Sequence, residues 1–208
     1  SSTSCYPQGA CSQYPLERRG FHFPMFSSDE PGLSDAETRA IHQFIAAARA
    51  YRSVIETAAE HPFGRFLRRV QTSLLELYHE AIGLPDVAPA TEQLAKPSRP
   101  DLSRLIPLGL HPDFTAESAL YSFVFDPFET SNPNVVMSDL RGDLREIYED
   151  LGRGLDIWNE AQGSAQRDAA WDLRFDFVSH WGRHTTDALR AIHWLLFEHY
   201  IEAKLGEL

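Results

Sequence analysis

Residues 171–193 read WDLRFDFVSHWGRHTTDALRAIH, and a helix continued through this stretch decides the architecture of the chain. At about 100° of rotation per residue, its apolar side chains share a sector roughly 60° wide, which we take as the core face. This face holds Leu173, Phe177, Ala188, Ala191 and Leu195. On the same wheel Asp176, His180, His184 and Asp187 overlap or adjoin the apolar sector. We therefore predict that the last helix turns four ionisable side chains toward the core.

Each of these ionisable groups needs a partner, because an unpaired buried charge costs several kcal/mol. The stripe from Asp176 to Asp187 covers about 16 Å at 1.5 Å per residue, so one metal ion cannot bind all four groups. Neighbours along the helix could cooperate in three pairs, which are Asp176 with His180, His180 with His184, and His184 with Asp187. A satisfied polar network, a metal site and a metal-free catalytic or ligand pocket all remain open.

A metal site would need additional ligands from another helix. Asp143 and Asp150 are the candidates, because they lie seven residues apart at the edge of the apolar stripe of the third helix. The complete set of candidate metal ligands is His180, His184, Asp187, Asp176, Asp143 and Asp150.

Four main helices are predicted from the spacing of apolar residues. The first begins at Ser34, which forms a capping box with Glu37, and ends near Glu60 because Pro62 disfavours helical geometry at the residue before it. The others run from about Phe63 to Ile82, from about Ser138 to a break at Gly163, and from Ser164 to about Lys204. The pattern indicates an all-α protein with a four-helix-bundle-like domain.

The domain organisation is read from composition. We expect an irregular N-terminal arm over residues 1–33 and a single helical domain over 34–208, with a Pro-rich connection over 84–135 inside it. Within the connection we expect a short helix, such as Ala116 to Ser122, and an extended run from Tyr121 to Phe125. Cys5 and Cys11 in the arm are expected to be free thiols, although a small disulfide loop or half of a metal site are alternatives.

The charge balance limits the partners. A formal net charge of −11 argues against nucleic acid and anionic membrane surfaces. The local basic cluster of Arg65, Arg68 and Arg69 is expected to form salt bridges or to face solvent. No apolar run approaches the roughly 18 residues of a membrane span, and no secretory signal is recognised, so we expect a cytoplasmic protein.

The C-terminal half resembles a family of uncharacterised bacterial helical proteins, domain of unknown function 5063. Two stretches carry the resemblance, the DLREIYEDL of residues 143–151 and the WDLRFDFVSHWGRHTTDALRAIH of residues 171–193, and Phe125-Asp126-Pro127 adds to it. The similar region covers roughly residues 120–195, and His-Trp-Gly-x-His is its most specific motif. The resemblance implies a helical fold and importance for the polar stripe, and it implies no activity.

The function predicted from the sequence is that of a non-enzymatic helical module that binds a protein partner or serves as an accessory subunit in a larger assembly. No P-loop, dinucleotide fingerprint or nucleophile elbow is present, and no cofactor is expected. Glu76 and His79 have the Glu-x-x-His spacing of di-iron bundles, but both point away from the apolar face of their helix. The alternative is a metal-binding protein or metal-dependent enzyme, with zinc, iron or manganese held by the stripe of the last helix.

Overall fold

The computed structural model describes residues 32–90 and 110–198. Almost all of the predicted N-terminal arm, including Cys5 and Cys11, lies outside the described residues. The middle of the Pro-rich connection and the predicted end of the last helix at Lys204 lie outside them as well.

The first two helices follow the sequence signals closely. Helix α1 covers Asp35–Glu56, a single 3-10 turn covers Ala58–Glu60, and helix α2 covers Phe63–Ile82. The predicted capping box is present, since the Ser34 amide donates to Glu37 Oε2 over 2.7 Å and the Glu37 amide donates to Ser34 Oγ over 3.3 Å. The sequence therefore places both helix starts correctly, and the first helix ends four residues earlier than expected.

A β-hairpin precedes the third long helix, so the prediction of a purely all-α protein is wrong. A short helix α3 (Ala116–Ala119) leads into strand β1 (Leu120–Val124), which pairs in antiparallel fashion with β2 (Val135–Asp139). The strands are rich in β-branched and aromatic residues that alternate between two faces, as half-buried strands do. The expected extended run after Leu120 is thus one half of a small sheet.

The second half of the chain forms two further long helical segments. Helix α4 covers Leu140–Glu160 and is capped by Asp139, whose Oδ1 accepts from the Arg141 amide over 2.9 Å. The last segment consists of α5 (Ser164–Asp176), a π-helical turn (Phe177–Trp181), α6 (Gly182–His193) and a second π-helical turn (Trp194–Glu198). The predicted long last helix is therefore present as far as Glu198, and over that range it departs from α geometry at two places.

The first π turn depends on Gly182. Its amide donates to the carbonyl oxygen of Phe177, five residues earlier, which is the bond that defines a π turn. A Cβ atom at this position would lie only 2.4 Å from that oxygen and 2.9 Å from the Phe177 ring. Glycine permits this close approach, and the extra residue in the turn sets the direction of the side chains on both sides of it.

The four long segments close a ring, because α1 packs on α2 and α4, and α6 also packs on α2 and α4. Trp181 is fully enclosed between the segments, with its ring centroid 6.0 Å from that of Phe44 and 4.9 Å from that of Phe177. The buried Tyr51 hydroxyl donates to the Leu144 carbonyl over 2.8 Å and joins α1 to α4. Across residues 32–90 and 110–198, no helix has the length and apolar character that crossing a bilayer requires.

Candidate functional site

The site lies where α4 faces the π turn and the start of α6. Asp143, Glu146 and Asp150 are three and four residues apart along α4, so they share one face of that helix. His180 lies in the π turn and His184 in the first turn of α6, and both imidazoles point toward that face. The burial of Trp181 in the core directs the two histidines on either side of it toward α4.

His184 is held by a buried carboxylate. Its Nδ1 lies 2.8 Å from Oδ1 of Asp143, which is only 4% exposed. Asp143 also accepts from the Tyr121 hydroxyl over 2.5 Å and from the Ser138 hydroxyl over 3.3 Å, and both donors belong to the β-hairpin. Burial and the Asp143 carboxylate raise the pKa of Tyr121, so this hydroxyl keeps its proton and donates. The hairpin thus helps to fix the carboxylate that orients His184.

His180 has a second carboxylate of its own. Its Nδ1 lies 2.5 Å from Oδ2 of Asp150, and the guanidinium of Arg153 lies 2.9 Å from the other oxygen. The same guanidinium donates to Asp176 over 2.8 Å. The Asp150 carboxylate raises the pKa of His180, against the effect of burial. Both carboxylate oxygens of Asp150 therefore have a partner, His180 at one and Arg153 at the other.

The other ring nitrogen of each histidine faces Glu146. The Nε2 atom of His184 lies 3.0 Å from Oε2 of Glu146, and the Nε2 atom of His180 lies 3.9 Å from the same oxygen. One potential ligand atom from each of these three side chains lies within 4.8 Å of the others. Within the described residues, these three are the His, Cys, Asp or Glu side chains whose ligand atoms lie close enough together to bind one metal ion.

The two sides of His184 constrain its protonation. A neutral imidazole carries one N–H, and the contact with the Asp143 carboxylate places it on Nδ1. The lone pair of Nε2 would then face an oxygen of Glu146 at 3.0 Å, which is an unfavourable contact between two acceptors. A second proton on the ring or a cation between the two atoms resolves this contact.

The predicted ligands divide into two groups. Asp143 and Asp150 reach the histidines, as expected from their place on α4, but they contact Nδ1 and leave Nε2 to Glu146. Asp176 accepts a hydrogen bond from Arg153 on α4, and its interaction with His180 along the helix is one between charges. Burial raises the pKa of Asp176, and Arg153 opposes that shift.

Asp187 lies beside the cluster and outside its hydrogen bonds. Burial and the nearby Asp143 carboxylate raise its pKa, while His184 lowers it. With Asp176 and Asp187 included, five carboxylates surround two imidazoles, and Arg153 is the guanidinium bonded into this group. Such an arrangement attracts a cation.

The two imidazoles differ in how far they are exposed to solvent. The His184 side chain is 24% exposed and that of His180 is 45% exposed, so the expected burial holds for His184 and only in part for His180. The two ring centroids are 4.9 Å apart. The pair therefore lies at the rim of the bundle, where a small solute can reach it.

Glu146 and Tyr121 belong to the site but were not among the sequence candidates. Glu146 carries a signal that could have been used, since it lies between Asp143 and Asp150 at helical spacing and shares their face. Tyr121 carries no such signal, because it reaches Asp143 only through the pairing of β1 with β2.

These features define a class of mostly helical domain with a small hairpin and a histidine–carboxylate cluster at the rim of its bundle. The chain belongs to the family described as domain of unknown function (DUF5063), whose sequence model matches residues 35–198. The suspected membership is thus confirmed, over a longer region than residues 120–195.

A solved structure shares the fold. The crystal structure of protein BF1032 from Bacteroides fragilis is similar to this chain, with a TM-score of 0.62 at 17% sequence identity. The similarity covers 78% of this chain and 95% of that one, and at this identity it supports the fold alone. No curated protein matches the sequence.

Proposed function

We propose that this domain binds one divalent transition-metal ion through Nε2 of His180, Nε2 of His184 and the carboxylate of Glu146. The observation that supports the proposal is that the two ring nitrogens of each imidazole face different carboxylates. Nδ1 contacts a buried aspartate and Nε2 faces the shared glutamate. Metal-binding histidines in proteins have this arrangement, in which a carboxylate on the far nitrogen orients the ring and raises its basicity.

The distances are close to those of a metal site. Two ligands bound at about 2.05 Å in a tetrahedral site lie about 3.3 Å apart. The 3.0 and 3.9 Å separations between Glu146 and the two Nε2 atoms fall on either side of that value. Small side-chain adjustments would bring the three ligands onto one ion, and the partly exposed position of Glu146 leaves room for them.

Two imidazoles and one carboxylate suit zinc, iron(II) or manganese. Three protein ligands leave coordination positions open, which is the arrangement of catalytic and not of closed structural sites. A metal there would supply Lewis acidity to a bound water or substrate oxygen. The chain's own contribution is to orient both rings, because Asp143 and Asp150 hold the Nδ1 atoms and leave each Nε2 directed toward Glu146.

The test is metal analysis of protein purified without a histidine tag, followed by titration of the chelator-treated protein with zinc, manganese and cobalt(II). We expect one ion per chain. The Glu146→Gln and His184→Ala variants should lose affinity by more than the roughly 10–100-fold that loss of a supporting partner costs. The matched controls are Glu160→Gln, at an exposed position of the same helix, and His79→Ala, at an exposed position of α2.

Saturable binding that is lost in the site variants and kept in the controls would support the proposal. A folded wild-type protein that holds no stoichiometric metal and takes up none of the three ions would overturn it. In that case the cluster would be the satisfied polar network that the sequence also allows.

A protein-binding role, which the sequence favoured, is the second candidate, and one surface supports it. The outer face of the hairpin presents Leu120, Val135 and Met137 at 50%, 63% and 65% exposure, and Phe128 in the connection is 91% exposed. The strand residues on this face include no charged side chain apart from Asp139 at its end, although Asp126 and Glu129 flank Phe128 and the chain has a net charge of −11. Two copies of this acidic chain could meet there without charge repulsion, so a second copy is the partner we propose.

Light scattering over a range of protein concentrations tests this role. A wild-type dimer that becomes monomeric in the double variant Val135→Lys/Met137→Lys would support this role. A wild-type protein that is monomeric at all concentrations would contradict it. Leu75→Lys, at an exposed apolar residue of α2, is the control for a general loss of hydrophobic surface. The single domain over residues 34–208 and the cytoplasmic location remain predictions.

A further inference from the structure

A second feature lies away from the histidine cluster, in the groove between α1 and α2. An open, shallow cavity of about 340 Å³ lies there, and Ala50 and Val54 line it on the α1 side. The side chains that α2 contributes are all polar or charged, namely Arg65, Arg68, Arg69, Thr72, Ser73 and Glu76. A volume of this size accommodates a small metabolite.

The three arginines are unusual for this chain, which has 30 acidic and 19 basic residues. Within residues 32–90 and 110–198, none of the three forms an ion pair with a carboxylate. Arg65 and Arg69 are exposed, as the sequence suggested, and Arg68 is partly buried. Three positive charges therefore line one cavity together with a single carboxylate, that of Glu76, with which none of them forms an ion pair.

Arg68 adds a more specific observation. Its Nε atom is the buried side-chain nitrogen or oxygen that lacks a hydrogen-bond partner in the described part of the chain. The guanidinium carbon lies 5.6 Å from the centroid of the Phe197 ring, a cation–π contact that holds the group in place. A buried N–H of a charged group is costly to leave unpaired, and because this nitrogen has no contact with solvent, an acceptor in the cavity would reach it only after a shift of the Arg68 side chain.

We propose that this cavity binds a small metabolite with a phosphate or carboxylate group, whose oxygens accept from the guanidinium groups of Arg65, Arg68 and Arg69. The planar fork of arginine matches the oxygens of such anions, and Thr72 adds a hydroxyl donor. Glu76 lies about 10 Å further along the helix than Arg69, at seven residues of 1.5 Å each. Its negative charge selects a ligand whose other end carries hydroxyl or ammonium groups.

The ligand's anionic group could belong to a soluble ester or to a lipid headgroup, and the overall negative charge of the protein favours the soluble form. Calorimetry with inorganic phosphate and with glycerol 3-phosphate tests soluble binding, and flotation with vesicles containing phosphatidylglycerol tests the lipid. The protein is the full chain after chelator treatment, so the outcome is independent of the metal proposal.

We expect glycerol 3-phosphate to bind saturably and more tightly than inorganic phosphate. Arg69→Gln should weaken binding at least tenfold, and Arg68→Gln should do the same. Arg39→Gln, at an exposed arginine of α1 outside the cavity, should leave binding unchanged. Absence of saturable binding, or equal weakening by Arg39→Gln and Arg69→Gln, would overturn the proposal. Binding to vesicles without binding of the soluble ester would overturn the assignment to a metabolite.

Discussion

Asp143 orients His184 from the opposite helix, with Nδ1 of the imidazole 2.8 Å from Oδ1 of the carboxylate. The carboxylate is fixed in turn by hydroxyl groups of Tyr121 and Ser138 on the two strands of the hairpin. The direction in which His184 Nε2 points therefore depends on α4, α6 and the hairpin together.

Replacing His184 with Ala should lower the free energy of unfolding by about 1–3 kcal/mol, because it leaves the buried Asp143 oxygen without its donor. His79→Ala, at an exposed position of α2, should change it by less than roughly 0.5 kcal/mol. Urea melts of both variants provide the measurement, with equal slopes required so that the midpoints report stability. Equal melts for the wild type and His184→Ala would show that the pair is not structural.

Replacing Asp143 with Asn should weaken zinc binding by roughly 10–100-fold at nearly unchanged geometry, if His180, His184 and Glu146 are the ligands. The amide can donate to Nδ1, which favours the tautomer with a proton on Nε2 and so competes with the metal. Competition with a chromogenic chelator measures the affinity. Tyr121→Phe removes one hydroxyl from Asp143 and should have the same direction and a smaller effect. An affinity unchanged in Asp143→Asn would contradict the orienting role.

The raised pKa of Asp172 predicts that the free energy of unfolding depends on pH. Burial, with the nearby Asp176 carboxylate, raises its pKa to about 6. The folded state therefore favours the protonated form, and this contribution is complete below the unfolded pKa of about 3.9 and is lost as the pH rises through about 6. Asp172→Asn should gain about 1 kcal/mol over the wild type at pH 7, after allowance for partial exposure, and almost nothing at pH 4. Urea melts at the two pH values measure the difference, and an equal gain at both would refute the assignment.

Gly182→Ala should destabilise the protein by about 1–3 kcal/mol, because the added methyl group meets the Phe177 carbonyl and ring in the π turn. Gly142→Ala in α4 is the matched control, since a Cβ there lies 3.7 Å from its nearest neighbour, the Cβ of Asp139. That substitution should be neutral or stabilising, as alanine is the better helix former. Thermal melts of the two variants suffice, and a tolerated Gly182→Ala would argue against the π turn.

Local signals were enough for the first two helices. The capping box of Ser34 and the restriction imposed by Pro62 act between neighbours in the chain, so the sequence states them directly. The helical wheel also placed His180 and His184 on one face, which meets α4, because residues four apart lie on the same side of a helix. The seven-residue spacing of Asp143 and Asp150 identified the opposing helix for the same reason.

The remaining features depend on contacts between distant residues. Ser138 was assigned to the start of α4, but it lies in β2, since its pairing with Tyr121 outweighs a weak helix signal. The π turn follows from the close approach of Phe177 and Gly182, which no wheel with a fixed rotation per residue can show. The bond between Asp176 and Arg153 was not predicted, because Arg153 reaches it from another helix.

The two aspartate–histidine pairs also restrict how α4 and α6 can slide past each other. Asp143 meets His184 and Asp150 meets His180, so the two segments run in opposite directions. The aspartates are seven residues apart and the histidines four, so both pairs form together in a single register. A slip of one turn, about 5.4 Å, would strand one carboxylate that is less than a tenth exposed. The two pairs therefore select one alignment of α4 with the last helical segment, independently of any ion or proton that the cluster binds.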